Sequence, residues 1–551
     1  MKSYALICTL FFFAACSKKD NTGTPPPVTP AGSFSITSFS INGSAVTGDT
    51  HDVNLQPVVR IKLSAAADRS TVTSSNIFFS TGASFSASYE NNDSTILITP
   101  VTAFNTLTRY TFTVTQGLKS AQNVALSSQQ GLTFETKIDS TRKFPAISDN
   151  ALLDLVQQQT LKYFYDFGHP VSGLVRERNT SGDLVTTGGS GFGIMALIAG
   201  TDRNFITHAQ GLARLQTIVA FLKNTAQTFH GAYPHWMNGV TGAVIPFGGN
   251  DNGADLVETG FLVEGLLCAR QYFNAATAAE TTLRADINTI FNRVEWDWFR
   301  QSNQNVLYWH WSPTVGFAIN MQIRGWDEAL MPYVLGASST THPVPPVVYS
   351  NGWASNGGMV NGHIFYGYPL PLGPDYGGPL FFEQYSMLGI NPNGLNDAYA
   401  NYTTQTKNHT LINYNYCLTN PRHWFGYSDS CWGLTASDIP NGYSASSPTN
   451  DLGVIAPTAA LSSFPYTPAE SMKALKFFYY VLGDKIWKQY GFVDAFKLDD
   501  PWFADSFLAI DQGPIIVNIE NYRSGLLWNL FTSCPEVKAG MLSLGFTAPY
   551  L

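Results

Sequence analysis

Charge is scarce in this sequence. Asp, Glu, Lys and Arg make up 13 % of 551 residues, 39 acids against 31 bases, for a formal charge of −8. The only adjacent basic residues are the pairs Lys18-Lys19 and Arg142-Lys143. Without a basic stripe the chain has no electrostatic footprint for nucleic acid, which is excluded as a partner. Cysteine is scarce too, with six in all. Cys268, Cys417, Cys431 and Cys534 lack the paired spacing of a zinc site. In an oxidising compartment Cys417 and Cys431 are the more plausible couple, and spacing alone leaves their state open. There is no phosphate-binding Gly-Lys loop, no dinucleotide fingerprint, no serine elbow and no paired-histidine zinc helix. No motif points to a metal or an organic cofactor. Disorder is excluded by a hydrophobic content of 44 %.

One long apolar run is present, and it is N-terminal. Met1-Lys2 precedes Tyr4 to Ala15, then Cys16. A charged start, a short apolar centre and small residues before a break describe a signal peptide too short to remain as a membrane span. Phe13-Ala-Ala-Cys16 resembles a bacterial lipobox, with Cys16 as the lipidated residue. The polar, Pro-rich stretch 17–32 then reads as a tether. The expectation is an exported protein, anchored by lipid to the cell envelope at the outer membrane, on its periplasmic or surface face. A monomer is expected. No later segment reads as a transmembrane span.

Two textures follow. Residues 33–137 alternate in short runs such as Val58-Val-Arg-Ile-Lys-Leu and Tyr110-Thr-Phe-Thr-Val, separated by Asn, Asp, Ser and Gly. About seven such strands in about 100 residues predict an immunoglobulin-like β-sandwich. Residues 138–149 read as a linker. From 150 to 551 the period becomes helical, over about 151–167, 189–199, 205–224, 253–275, 278–299, 321–337, 393–408, 469–490 and 513–533. Long Gly-, Pro- and Asn-rich loops intervene, notably 339–380 and 420–455; loops of that length are often functional.

Acids in apolar surroundings are the candidates for chemistry. Asp251, Asp255 and Glu258 are spaced four and three apart where a helix opens. On a helix that places three carboxylates along one stripe. Capping by first-turn acids explains Asp251 well, but the other two less well. Arg324-Gly-Trp-Asp-Glu sets Asp327 and Glu328 among Trp326, Leu330 and Met331. Desolvation there would keep a carboxyl protonated and able to act as a general acid; an Arg324–Glu328 helical ion pair is the competing reading. Asp511 precedes an apolar helix as either a cap or a working acid, and Glu520 and Arg523 are placed to pair. Aromatics reach 14 %. Dense clusters at Trp309, His310 and Trp311, at Trp326, at Arg422 and Trp424, and at Trp432 suit sugar stacking and hydroxyl recognition, or simple packing. Paired carboxylates among aromatic loops point to glycosidic cleavage.

Taken together, Asp255-Leu-Val-Glu-Thr-Gly, Tyr308-Trp-His-Trp-Ser-Pro, Gly325-Trp-Asp-Glu-Ala, Gly378-Pro-Leu-Phe-Phe, Cys431-Trp-Gly-Leu-Thr-Ala-Ser-Asp, Tyr466-Thr-Pro-Ala-Glu-Ser and Ala509-Ile-Asp-Gln-Gly-Pro resemble the glucoamylase-like family. That family includes the bacterial β-1,2-glucanases of glycoside hydrolase family 144. The resemblance spans about 151–551. It implies a multidomain chain in which the β-sandwich precedes an all-α (α/α)6 barrel. It also implies hydrolysis of β-1,2-glucan, endo-acting and inverting. It places an acidic pocket at Asp251, Asp255, Glu258, Glu328 and Asp511, with Glu328 as general acid. Asp511 is the first choice for base, and one of the other three the second. Exo-release of sophorose, with 339–380 plugging one end of the cleft, is the alternative. A non-catalytic glycan-binding lipoprotein and a transglycosylase are further readings.

Overall fold

The computed structural model describes residues 32–551 apart from 47 and 49. The expected signal peptide, Cys16 and most of the expected tether lie outside the described residues. The chain divides into two compact units. One runs to Phe104 and takes in Tyr110–Phe134, and the other comprises Asn105–Arg109 and Glu135–Leu551.

The first unit is a sandwich of nine strands, two more than the alternation predicts: β1 (Ile36–Ile41), β2 (Ser44–Ala45), β3 (Thr50–Val53), β4 (Val59–Leu63), β5 (Ile77–Phe79), β6 (Phe85–Glu90), β7 (Thr95–Pro100), β8 (Arg109–Val114) and β9 (Gln130–Thr136). They form one sheet in the order β2-β1-β4-β7-β6 and another in the order β3-β9-β8-β5. In β4, Val59, Ile61 and Leu63 are buried while Lys62 is exposed. That two-residue period commits one face of the strand to the core. Phe79, Phe104, Phe112 and Phe134 fill the core, with the Phe79 and Phe112 rings 5.0 Å apart.

The second unit alternates outer and inner helices. The outer set is α1 (Asp149–Tyr165), α3 (His208–Asn224), α5 (Ala278–Asn292), the paired short helices Pro346–Val348 and Tyr349–Trp353, Tyr402–Thr419 and Pro468–Tyr480. The inner set is α2 (Thr187–Asp202), α4 (Leu256–Tyr272), α6 (Met331–Ser338), Phe381–Gln384 with Ser386–Leu388, Pro457–Leu461 and Ala509–Ser524. Outer helices are amphipathic, as in α5, which buries Leu283, Ile287, Ile290 and Phe291. Inner helices are buried on all sides, as in α2 from Thr187 to Thr201. Their Gly- and Ala-rich sequences carry no amphipathic period for that reason.

Helix Ala509–Ser524 packs on α2, α2 on α4, and α4 on α6. The Met331 N–H donates to Ser386 Oγ at 3.1 Å. Gln384 Nε2 donates to the Ala459 carbonyl at 3.0 Å. Thr458 Oγ1 donates to the Asp511 carbonyl at 2.8 Å, which closes the ring. Six inner and six outer helices make an (α/α)6 barrel. Where α2 meets α4 only glycine fits: a Cβ on Gly265 would stand 2.2 Å from the Gly191 carbonyl oxygen.

Direction reverses at every connection. The inner-to-outer links are short for the most part, as at 203–207 and 273–277. The outer-to-inner links are long: 166–186, 225–255, 293–330, 358–380, 420–456 and 481–508. All the long loops therefore gather on the face where the inner helices begin. The four described cysteines stay free, buried thiols, so no Cys417–Cys431 disulfide forms. No helix among the described residues is long and apolar enough to cross a membrane.

Candidate active site

The long loops enclose a cavity of about 490 Å³, within the size range of small-molecule sites. Its wall contains Glu258, Glu328, Glu177, Arg178 and His235, set among Trp236, Phe247, Phe381, Tyr385 and Tyr443.

Asp255 caps α4, its Oδ1 accepting the N–H groups of Val257 and Glu258, both at 3.0 Å. Its other oxygen lies 2.9 Å from His235 Nδ1. Burial pushes the Asp255 carboxyl up, but the His235 hydrogen bond and the charges of His310 and His235 outweigh it and hold the group below its ordinary value. Burial disfavours the charged form of His235, yet Glu258 and Asp255 lift it to about 9. The two form an ionised pair at neutral pH. His310 Nε2 stands 3.6 Å from Asp251 and 3.7 Å from Asp255. It is carried there by the strand His310–Trp311, which pairs with Ala254–Asp255.

Asp251, Asp255 and Glu258 are gathered, but not as one helical stripe. Asp251 lies in a loop and the helix begins at Leu256; His310 ties the loop acid to the cap. Glu258 Oε2 accepts the Gly188 N–H at 2.7 Å. A Cβ on Gly188 would come within 2.6 Å of that oxygen, so glycine is required there. Burial raises Glu258, with His235 opposing.

Glu328 is not helical either. Gly325 adopts φ +88°, and helix α6 starts only at Met331, beside Pro332. The expected Arg324–Glu328 pair does not form. Arg324 instead donates to the Asn351 carbonyl at 3.0 Å. Asp327 turns back to accept the Ala329 N–H at 2.8 Å. Glu328 is pushed well above the carboxylate range by burial first, then by Asp327, Glu258 and Asp255. Burial brings Asp327 to about 7. Glu328 thus presents a protonated carboxyl at the cavity wall.

Asp511 does not line the cavity. It lies behind Leu508 and Ile510, which do, and it neighbours Asp494. Both carboxyls are buried. The Asp438 N–H donates to Asp494 Oδ2 at 2.7 Å. Burial lifts Asp494 to about 7. Burial and the Asp494 charge hold Asp511 well above its ordinary value, so Asp511 keeps the proton of the pair. From the pair a polar chain leads to the cavity wall: Ser506 Oγ and Arg178 Nη1 reach Asp438 Oδ2 at 2.5 and 3.2 Å. Arg178 Nε also pairs with Glu177 at 3.0 Å. Tyr385 lines the cavity with Glu328, and its hydroxyl is raised by burial first and then by the charges of Asp511 and Glu328 among others.

Three relatives give these features a context. A family model described as "Putative glucoamylase" matches residues 320–535, and a bacterial Ig-like domain model matches 35–136. The endo-β-1,2-glucanase of Chitinophaga pinensis, solved with sophorotriose and glucose, is 49 % identical; the match covers 74 % of this chain and 100 % of that one, with a TM-score of 0.72. The chain belongs to the glucoamylase-like family. This family of glycoside hydrolases holds the β-1,2-glucanases of glycoside hydrolase family 144. A β-1,2-glucanase structure from Parabacteroides distasonis is 35 % identical, over 93 % of this chain and 73 % of that one, with a TM-score of 0.71. An exo β-1,2-glucooligosaccharide sophorohydrolase (non-reducing end) from the same organism is 44 % identical over 418 residues, 72 % of this chain. The match spans 58 % of that relative's length, less than two thirds.

In this member of the family none of the aromatic candidates lines this cavity. Trp432 is buried and its indole N–H donates to the Glu470 carbonyl at 3.3 Å. Trp326 packs between Trp353 and Tyr402. Trp424 donates to Asp451 at 2.9 Å with Lys497 over its ring. Arg422 is exposed. Trp309 stacks on His310 and packs against the core. Glu520 pairs with Arg203 at 2.7 Å rather than with Arg523, which takes Asp154 at 2.6 Å. Motif reading missed His235, Trp236, Phe247, Glu177, Arg178, Tyr385, Tyr443 and Asp494. Asp494, alone among apolar neighbours in Phe492-Val-Asp-Ala-Phe, carried the same signal as Glu328. Glu177 sits between two arginines, which disguised it as a surface ion pair.

Proposed function

We propose that this chain hydrolyses β-1,2-linked glucan by endo cleavage with inversion, while lipid-anchored through Cys16 at the cell envelope. The observation that carries the reading is Glu328, a half-buried carboxyl that keeps its proton in the wall of an aromatic-lined cavity. Glu328 protonates the leaving glycosidic oxygen. The ionised Asp255–His235 pair fixes the local charge, and the rings of Trp236, Phe247 and Tyr443 offer faces to neighbouring glucosyl units. The Asp494–Asp511 pair, carrying one negative charge above about pH 7, takes the proton of the attacking water. Because Asp511 stands behind the wall, that proton travels through an intervening hydroxyl, of the substrate or of Tyr385. Glu258 is the second reading for the base, favoured by its direct place on the wall.

Support for endo action comes from the loop 339–380. None of its residues lines the cavity, so it does not supply the plug that release of sophorose from chain ends would use. The test is a product time course on linear β-1,2-glucan with residues 17–551. A ladder of oligosaccharides supports endo cleavage, disaccharide alone supports exo release, and no product overturns the reading. Glu328→Gln should lower the rate by roughly 10²–10⁴-fold on glucan. It should lose far less on an aryl glycoside whose leaving group needs no proton.

A further inference from the structure

A second cavity of about 510 Å³ opens at Trp298 and Trp311, and nothing in the reaction described above uses it. Both rings belong to the 293–330 loop, on the face where the inner helices begin. The short strand His310–Trp311 connects the surroundings of the two cavities: His310 meets Asp251 and Asp255, Asp255 holds His235 of the catalytic wall at 2.9 Å, and the next residue, Trp311, lines the second cavity. Successive side chains of a strand point to opposite sides.

The lining favours a neutral, polyhydroxylated ligand. Trp298 remains 43 % exposed, although His230 stacks on it at 3.9 Å and 12°. Trp311 stands edge-on to Trp298 at 6.5 Å. Around these rings lie Gln301, Asn303 and Asp297, all able to bond hydroxyl groups. No Lys or Arg lines the cavity, which disfavours an anion. The acids are already paired: His342 Nδ1 lies 3.0 Å from Asp297, and His230 Nδ1 lies 2.9 Å from Glu295. Among the described residues no group of His, Cys, Asp and Glu is arranged to hold a metal, which disfavours a cation.

We propose that the Trp298–Trp311 cavity is an outer glucan-binding site, holding glucosyl units of a long chain beside the catalytic cavity. This rests on the reading that the chain is a β-glucan hydrolase. A polymer held there is presented to the neighbouring cavity at raised local concentration. A short oligosaccharide that fills only the catalytic cavity gains nothing.

The test compares Trp298→Ala, Trp298→Phe and the parent on long linear β-1,2-glucan and on a short β-1,2-oligosaccharide. For the Ala variant KM on the polymer should rise roughly fivefold or more, as for loss of an aromatic anchor. Kinetics on the oligosaccharide should not change, and the Phe variant should recover most of the loss. Electrophoresis through glucan-containing gel, in a Glu328→Gln background, should show Trp298→Ala less retarded. Equal kinetics on both substrates, with the parent active, would overturn the outer site and leave the hydrolase reading standing. So would equal slowing on both, which would trace the effect to the barrel. A parent that neither cleaves nor is retarded by the glucan would overturn both readings.

Discussion

Replacing Asp494 with Asn should move the pH profile of the reaction toward acid. Asp494 is lifted from 3.8 to about 7. A lift of about three units corresponds to about 4 kcal/mol resisting ionisation of the pair. Asp511 holds the remaining proton because burial and the Asp494 charge both oppose its release. In Asp494→Asn the amide oxygen keeps the Asp438 N–H, now 2.7 Å from Asp494 Oδ2, while the amide N–H group faces Asp511. For Asp511 a like charge is thereby exchanged for a donor, a change that lowers its carboxyl from its raised position. The working base then becomes available at lower pH. The assay is kcat/KM on β-1,2-glucan from pH 4 to 9. The acid limb should lie near 7 in the parent and at lower pH in the variant. A limb that stays in place, or moves upward, would refute the role given to the pair. It would pass the role of base to Glu258.

The folded chain should lose stability as pH rises. Asp327 and Asp494, each raised to about 7, bind protons in the folded chain that the unfolded chain has released above about 4. Their stabilising effect is complete below 4 and is lost as pH climbs through 7, so the midpoint of thermal denaturation should fall between pH 5 and 8; a rise would contradict these buried acids. Glu264→Gln should be close to neutral at pH 7: burial holds Glu264 protonated, and its Oε1 need only keep accepting the Gly389 N–H at 2.6 Å. A loss of more than about 2 kcal/mol in denaturant unfolding would show that its charge matters. Gly265→Ala should destabilise despite the gain of roughly 1 kcal/mol in helix propensity, because the new Cβ would stand 2.2 Å from the Gly191 carbonyl; an unchanged urea midpoint would disprove the close α2–α4 contact.

Much of the architecture is present in the sequence because it depends on local periodicity. The two-residue alternation of β4 and the helical spacing of Leu283, Ile287 and Ile290 in α5 follow from which faces must leave water. The inner helices are harder: α2 is apolar all round, so its length is legible and its position in a ring is not. The acids Asp251, Asp255, Glu258, Glu328 and Asp511 stood out by their apolar neighbours, and Glu328 and Glu258 do lie on the cavity wall. Their geometry did not follow from spacing, because Gly325 and Pro332 keep Glu328 out of a helix and Asp255 is a cap. The aromatic clusters misled for the same reason. Trp432 and Trp326 are as aromatic as Trp236 and Phe247, and composition does not tell a core ring from a wall ring. What sequence alone determined was the order of the two units, the helical alternation and the supply of carboxyls in apolar settings. Only the tertiary structure decided which carboxyls meet, because His235 beside Asp255, Asp494 beside Asp511 and Tyr385 beside Glu328 on the cavity wall depend on how the loops fold over the barrel, and that packing sets where each proton resides.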